Sequence, residues 1–519
     1  MYDANGSPTL TTLILLPIPT ATRVVIATPT PTSSKGSSGQ PALEVQRLPD
    51  GTYFVGLMLP TLLAILVSIP IRVINRQVKL YQGFHALASA RGANAAESLC
   101  LKTTGPMSLL NGLRSSRRGN YLLGLTSGLV ILSALTVPFS AEMIRLILQG
   151  PQCHADGQDK LKCSVVLGVF PAPAQVVLAL IVALIVGITV VAVLLPRWKT
   201  GVERNPWNIF YMAQLASGTE LREIFVKLHR HRSAGKKIFA KEFVSKLGGK
   251  IFGLRRWEGN GVMRYSVLIL TRQVDDDENE KPVGKAGRNV KFDDEPKSRW
   301  RQRPRWMRVG RAPFFMLSWI GRILFLLLLS SVLIAVLIYD IVARGSEYQR
   351  GLTGKAVGVR FLFSGAGVLV TFAWGSFFHA VAFLSPYKLL QRKRIKMEAL
   401  HFNPATNPFT GLWLAFVPSR RDLYLGVVAA TAILSEVLPL YLGNIPCNGV
   451  QIESAETICV YLSVAVLSIM ILTVGCSFFI DWPPTKGVDP STIAGAMFTA
   501  HVMSQHKSSI FGKWISGMV

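Results

Sequence analysis

The chain repeats itself. From Ser419 to Ile493 it runs through a basic start (Ser419-Arg420-Arg421), an apolar stretch, a short segment with Cys447 and Cys459, and a second apolar stretch. It leaves through Trp482, Gly487, Val488, Pro490 and Ile493. The same order occurs earlier as Ser116-Arg117-Arg118, an apolar stretch, Cys153 and Cys163, another apolar stretch, then Trp198, Gly201, Val202, Pro206 and Ile209. Upstream, Lys79-Leu80-Tyr81-Gln82 stands beside Lys388-Leu389-Leu390-Gln391, and Gly105-Pro106 and Asn407-Pro408 break each connector before its Arg pair. An internal duplication limits the fold to two like units that pack with their own kind.

Those units are apolar. At 519 residues, 50% hydrophobic and 16% charged, with mean hydropathy +0.37, the chain departs from soluble composition. Seven runs approach or exceed the roughly 20 residues that cross a bilayer as helix: 53–73, 121–141, 174–195, 316–340, 361–384, 423–443 and 458–480. The expected fold is therefore an all-α membrane protein, with about seven transmembrane helices in two parallel three-helix repeats plus one linking helix. The expected divisions are a disordered Thr/Ser/Pro-rich external tail (1–50), a first membrane repeat (51–205), a small cytoplasmic α+β insert (206–272) and a disordered acidic-to-basic linker (273–312). A linking helix (313–343), a second repeat (344–482) and a cytoplasmic C-terminal helix (483–519) complete the chain.

A net charge of +27 invites a nucleic-acid reading, but the placement of that charge points to orientation in a membrane. Lys and Arg number about 8 in 72–120, 27 in 196–312 and 7 in 385–421, against about 3 in 142–172 and none in 444–457. The positive-inside rule then puts the N-terminus outside and the C-terminus in the cytoplasm, in the plasma membrane, with the lipid bilayer as the first partner and nucleic acid excluded. Corresponding helices of the two copies lie four spans apart and so point the same way, as a parallel repeat requires.

Within the insert, Pro206 to about His229 reads as one amphipathic helix, and Lys250–Trp257 and Val262–Leu270 flank Glu258-Gly259-Asn260-Gly261 as a hairpin. The linker ends in Arg299, Arg301, Arg303, Arg305 and Arg308 among Trp300 and Trp306, a cluster suited to anionic inner-leaflet lipids. A cytoplasmic protein partner is expected at 196–312. In the external loops, Cys153 with Cys163 and Cys447 with Cys459 would each close a small ring, or stand as two thiols. Asn5-Gly6-Ser7 is a glycosylation sequon. Cys100 and Cys476 read as plain buried or inert thiols.

No residue set announces an enzyme, and no cofactor or metal is expected. The chain has no GxxxxGK[ST], no HExxH and no GxSxG between a strand and a helix. Ionisable residues inside the apolar runs are the functional candidates. Glu436 lies thirteen residues into its run, roughly 20 Å deep at about 1.5 Å per residue. Arg360 stands at the outer end of the fifth run and His379 nearer the inner end. Depth then separates Glu436 from His379 and leaves a stretched pair with Arg360 as its one partner. Glu436 reads either as a proton- or cation-handling group or as a protonated acid bonded between helices. Gly367, Thr371, Gly375 and His379 recur every four residues as a packing stripe.

With these features in view, the chain resembles a family of fungal multi-pass membrane proteins of unknown function. The likeness rests on Pro386-Tyr387-Lys388-Leu389-Leu390 after a span, the Pro/Ile helix starts at Pro206 and Pro490, and the Asp3-Ala4-Asn5-Gly6-Ser7-Pro8-Thr9 tail. It implies the architecture and a surface location and carries no activity. The leading expectation is a non-enzymatic cell-surface scaffold or anchoring component. The alternative is a transporter or channel with its site between the repeats, involving Glu436.

Overall fold

The computed structural model describes residues 51, 54–101, 108–116, 119–149, 164–202, 205–216, 218–233, 247–248, 250–259, 262–270, 314–343, 358–391, 403–417, 422–446, 453–482 and 489–504. Asn5, Cys153, Cys163, Cys447 and the Arg299–Arg308 cluster lie outside them, as do the tail 1–50 and the linker 273–312. Cys459 is buried, and its expected pairing rests on a partner outside the described residues.

The described chain is mostly helical. A π-helical turn (Phe54–Met58) leads into α1 (Leu59–Leu87), followed by α2 (Ser108–Ser116), α3 (Tyr121–Met143) and α4 (Pro171–Leu194). After the insert come α7 (Trp319–Ala343), then α8 (Val359–Gln391), α9 (Pro408–Phe416), α10 (Leu423–Gly443) and α11 (Glu453–Cys476). The order long, short, long, long thus occurs twice. Seven of these helices are long and apolar enough to cross a bilayer.

Helix α1 does not stop where its apolar run does. The apolar run ends at residue 73, but one helix continues to Leu87. The reason is visible in its burial: Ile71, Asn75, Val78, Lys79, Gln82 and Phe84 all face inward at helical spacing. At about 1.5 Å per residue its 29 residues reach about 43 Å, beyond the roughly 30 Å hydrocarbon core.

Two long helices of each copy form the interior. Helix α1 packs on α3, α8 packs on α10, and the copies meet where α3 lies against α8 and α10 lies against α1. That inter-copy contact is called the seam below. Helices α4 and α11 flank the pairs, and α7 lies on α11. Helices α8 and α10 come close at Gly367, where an added Cβ would sit 2.6 Å from Pro439 Cα. Pro439 cannot donate to Ser435 O one turn back, and Thr371 Oγ1 supplies that bond from α8 at 2.7 Å. Gly367→Val is expected to prise α8 from α10 and lower unfolding stability in detergent by about 2–3 kcal/mol, whereas Gly375→Ala, with open space at its Cβ, is expected to be silent. Gly375 therefore has no part in the packing stripe.

The insert folds as a small sheet with helices. Strands β4 (Ile251–Gly259) and β5 (Val262–Leu270) form the expected hairpin, with Ile251 opposite Leu270. The short strand β1 (Ala93–Asn94), which follows α1, adds to the edge of β4. The expected single helix from Pro206 is instead α5 (Ile209–Leu215) and α6 (Thr219–Ser233). It breaks at Gly218, where β5 comes so near that a Cβ would meet Val267 O at 2.7 Å. The final helix α12 (Ile493–Ser504) packs on α5, its Ala494 N donating to Leu99 O at 2.9 Å. A second pair of strands, β2 (Ile144–Gln149) and β3 (Ser164–Val169), joins α3 to α4 and was not foreseen. It adds a hairpin to the all-α expectation.

Trp207 joins the sheet unit to both copies. Its ring meets Phe84 of α1 edge-on at 6.2 Å and Phe383 of α8 at 5.4 Å, and its Nε1 donates to Leu80 O at 3.1 Å. Buried indoles of this kind contribute large apolar area and need a partner for the N–H, and Trp207 has both.

Candidate functional site

The seam carries charge along its length. On α1, Ser68, Arg72, Arg76 and Lys79 follow one another at three- and four-residue steps and so share a face, with Asn75 three residues after Arg72 and four before Lys79. Arg72 forms an ion pair with Glu436 of α10, and Arg72 Nη2 also donates to Ser68 Oγ at 2.9 Å. The guanidinium lies 5.8 Å from the Phe372 ring centre on α8, which adds a cation–π contact. Beside the pair is a void of about 20 Å³ for the centres of water-sized spheres, room for about one water. Its lining comes from both copies: Ser68, Arg72 and Ser133 from the first, Thr371, Phe372 and Glu436 from the second.

One turn further along α1, Arg76 donates to Thr406 O, and its Nη2 lies 3.1 Å from His379 Nδ1 on α8. That imidazole also approaches Gly375 O of its own helix. Lys79 is buried and donates to Ser108 Oγ at 3.3 Å. Asn75 completes the face, its Oδ1 accepting from Thr126 and Ser127, both at 3.2 Å.

These contacts correct the expected pairing. Glu436 does not reach for Arg360; its partner is Arg72, which the sequence reading left at the membrane exit. Helix α10 carries Glu436 thirteen residues past Leu423, and α1 carries Arg72 thirteen residues past Leu59. Each lies about 20 Å along its helix, and the packing of α10 on α1 brings the two charges together. The signal was present in sequence as the spacing of Arg72, Arg76 and Lys79. It was hidden because the apolar run of 53–73 stops short of Asn75, Arg76 and Lys79, and only the fold shows them buried or half-buried.

Arg360 does different work. It donates to Gly443 O at 2.9 Å, Asn444 Oδ1 at 2.9 Å and Ile144 O at 3.0 Å. Gly443 and Asn444 end α10, and Ile144 ends α3, so one cation sits at two helix C-termini whose dipoles attract it. Close by, Glu142 Oε1 accepts from Phe361 N at 2.8 Å. Arg360 is a structural pin at one end of the seam. His379 and Glu436 lie deeper, separated from each other as expected but linked through the α1 cations.

Of the remaining thiols, Cys476 is exposed at the last residue of α11. Cys100 is half-buried, and burial pushes its thiol up to about 11, so it stays protonated and unreactive. No group of three metal-ligating side chains occurs among the described residues.

The two charged partners come from corresponding parts of the chain. One family model matches twice. Its description is a protein of unknown function, DUF3433, and it covers residues 54–145 and 357–446. The first DUF3433 segment holds α1, α2 and α3, and the second holds α8, α9 and α10. Arg72, Arg76 and Lys79 thus belong to one DUF3433 segment, and Arg360, His379 and Glu436 to the other. No curated protein and no solved structure matches the chain.

Proposed function

We propose that the chain is an integral membrane protein whose two DUF3433 segments form parallel repeats, and that it moves protons or small ions along the seam between them. Membrane insertion is supported by the seven long apolar helices and by their exposed surfaces: on α4, Leu178, Ile185 and Val186 are about two-thirds exposed, a belt that water would not tolerate. The charge asymmetry of the loops supports an external N-terminus and a cytoplasmic sheet unit.

One observation carries the transport reading. An ion pair with a water-sized void beside it joins the two repeats at mid-depth, where ionisable groups are costly and retained for use. A void of one water suits a proton or small ion and excludes larger solutes from this conformation. Transport sites of repeat-built membrane proteins fall at the same place, the midplane between repeats.

The scaffold reading keeps one support of its own. Arg255 and Arg256 are exposed on β4, extending a basic surface on the sheet unit toward anionic lipid or an acidic partner. The test that separates the two is flux. Purified chain in sealed vesicles with an internal pH dye, under an imposed gradient and a panel of small ions, is expected to dissipate the gradient faster than empty vesicles. Equal rates with folded protein across the panel would leave the scaffold.

A further inference from the structure

The inner half of the seam holds more cations than its acid can balance. Among the described residues, Glu436 is the one carboxylate in this face's contacts, and it pairs with Arg72. Arg76 has an uncharged carbonyl and an imidazole as partners, and Lys79 has a single hydroxyl. Neither contact set supplies negative charge. A guanidinium offers five N–H donors and an ammonium three, so most of these donors meet no acceptor among the described residues.

The surroundings worsen the imbalance. Ser108, which Lys79 touches, is the first residue of α2, and Thr406, which Arg76 touches, precedes Asn407, the N-cap of α9. Each cation therefore lies beside the start of a short helix, the end that carries the positive side of its dipole. Lys79 is only 8% exposed, so bulk water does little to offset the repulsion. Three- and four-residue spacing on one helix adds like-charge repulsion among Arg72, Arg76 and Lys79.

We propose that an oxyanion of phosphate type binds between Arg76, Lys79 and the first turn of α2, as the counter-ion of the inner seam. The chemistry fits that class: a planar Arg fork, a Lys point charge and helix-start N–H groups together match tetrahedral oxyanions. The ligand is either the phosphate of an anionic lipid headgroup or free phosphate. The inference rests on the membrane reading and not on flux.

The test uses the full chain. Thermal unfolding is followed in neutral detergent with inorganic phosphate, and in phosphatidylcholine discs with and without phosphatidylserine. Saturating phosphate at about 100 times its dissociation constant is expected to raise the wild-type melting temperature by several degrees. Arg76→Gln or Lys79→Gln is expected to weaken the apparent affinity by about tenfold. A shift with phosphatidylserine but not with phosphate, lost in the same variants, assigns the site to a lipid headgroup. Lys79→Arg keeps the charge and should keep the shift, which separates lost binding from lost folding. The proposal is overturned if neither ligand shifts the wild type, or if the shift survives in both Gln variants. Release of the chain from membranes by alkaline carbonate would instead sink the membrane reading, whatever the binding result.

Discussion

Glu436→Ala is expected to destabilise the protein by about 3 kcal/mol, at the lower end of the range for breaking a buried pair. The cost arises less from the lost attraction than from Arg72, which stays between the copies with only Ser68 to bond. Each side chain keeps 22% of its surface exposed, which is why the lower end applies. The Arg72→Ala, Glu436→Ala double variant removes both charges and is expected to cost less than the sum of the single changes. A coupling of about 1–3 kcal/mol is the range for residues in direct contact. Unfolding in detergent of the wild type, both single variants and the double variant measures it. Strict additivity would mean that the two side chains do not meet in solution.

Trp207→Ala should be as damaging and should act elsewhere. The indole is 6% exposed and fills the junction of α1, α8 and the sheet unit, so truncation leaves a cavity and removes the second hydrogen bond on Leu80 O, a carbonyl inside helix α1. Large aromatic-to-Ala changes in cores cost about 3–5 kcal/mol. The loss should be local to the sheet unit, because Phe84 and Phe383 remain packed in their own helices. Hydrogen exchange is expected to accelerate first in β4, β5 and α6, with the inner parts of α3 and α10 still protected. Uniform acceleration throughout would show that the sheet unit and the long helices unfold together.

The architecture was legible because it rests on periodicities that packing leaves intact. The seven long helices follow from apolar length, and the hairpin follows from Asn260-Gly261 between two strand-forming runs. The two family matches each include one Arg pair and so agree with that part of the duplication; the Cys pairs and the Pro/Ile helix starts lie beyond them. Less was legible at the site. Glu436 stood out because an acid in an apolar run is costly, but its partner was misjudged. Arg72 falls at the end of the apolar run of 53–73, and the sequence alone does not show that Val78, Leu80 and Phe84 keep the inward face going beyond it. Arg360 seemed a partner for Glu436, since sequence gives depth along a helix but not which helix ends gather there. The tie between Thr371 and Ser435 O was equally hidden: Pro439 announces a missing donor, but only the fold shows which helix replaces it.

One comparison reaches the centre of this reading: the rate of gradient dissipation in sealed vesicles, Glu436→Gln against wild type. Gln preserves size and hydrogen bonding, so both proteins can be matched for folding before the rates are compared. If the seam carries protons or ions through the Arg72–Glu436 pair, the wild type dissipates the gradient and the variant falls by tenfold or more, the order expected when a proton-transfer group is removed. Equal rates in folded wild type and variant would contradict a seam-based pathway.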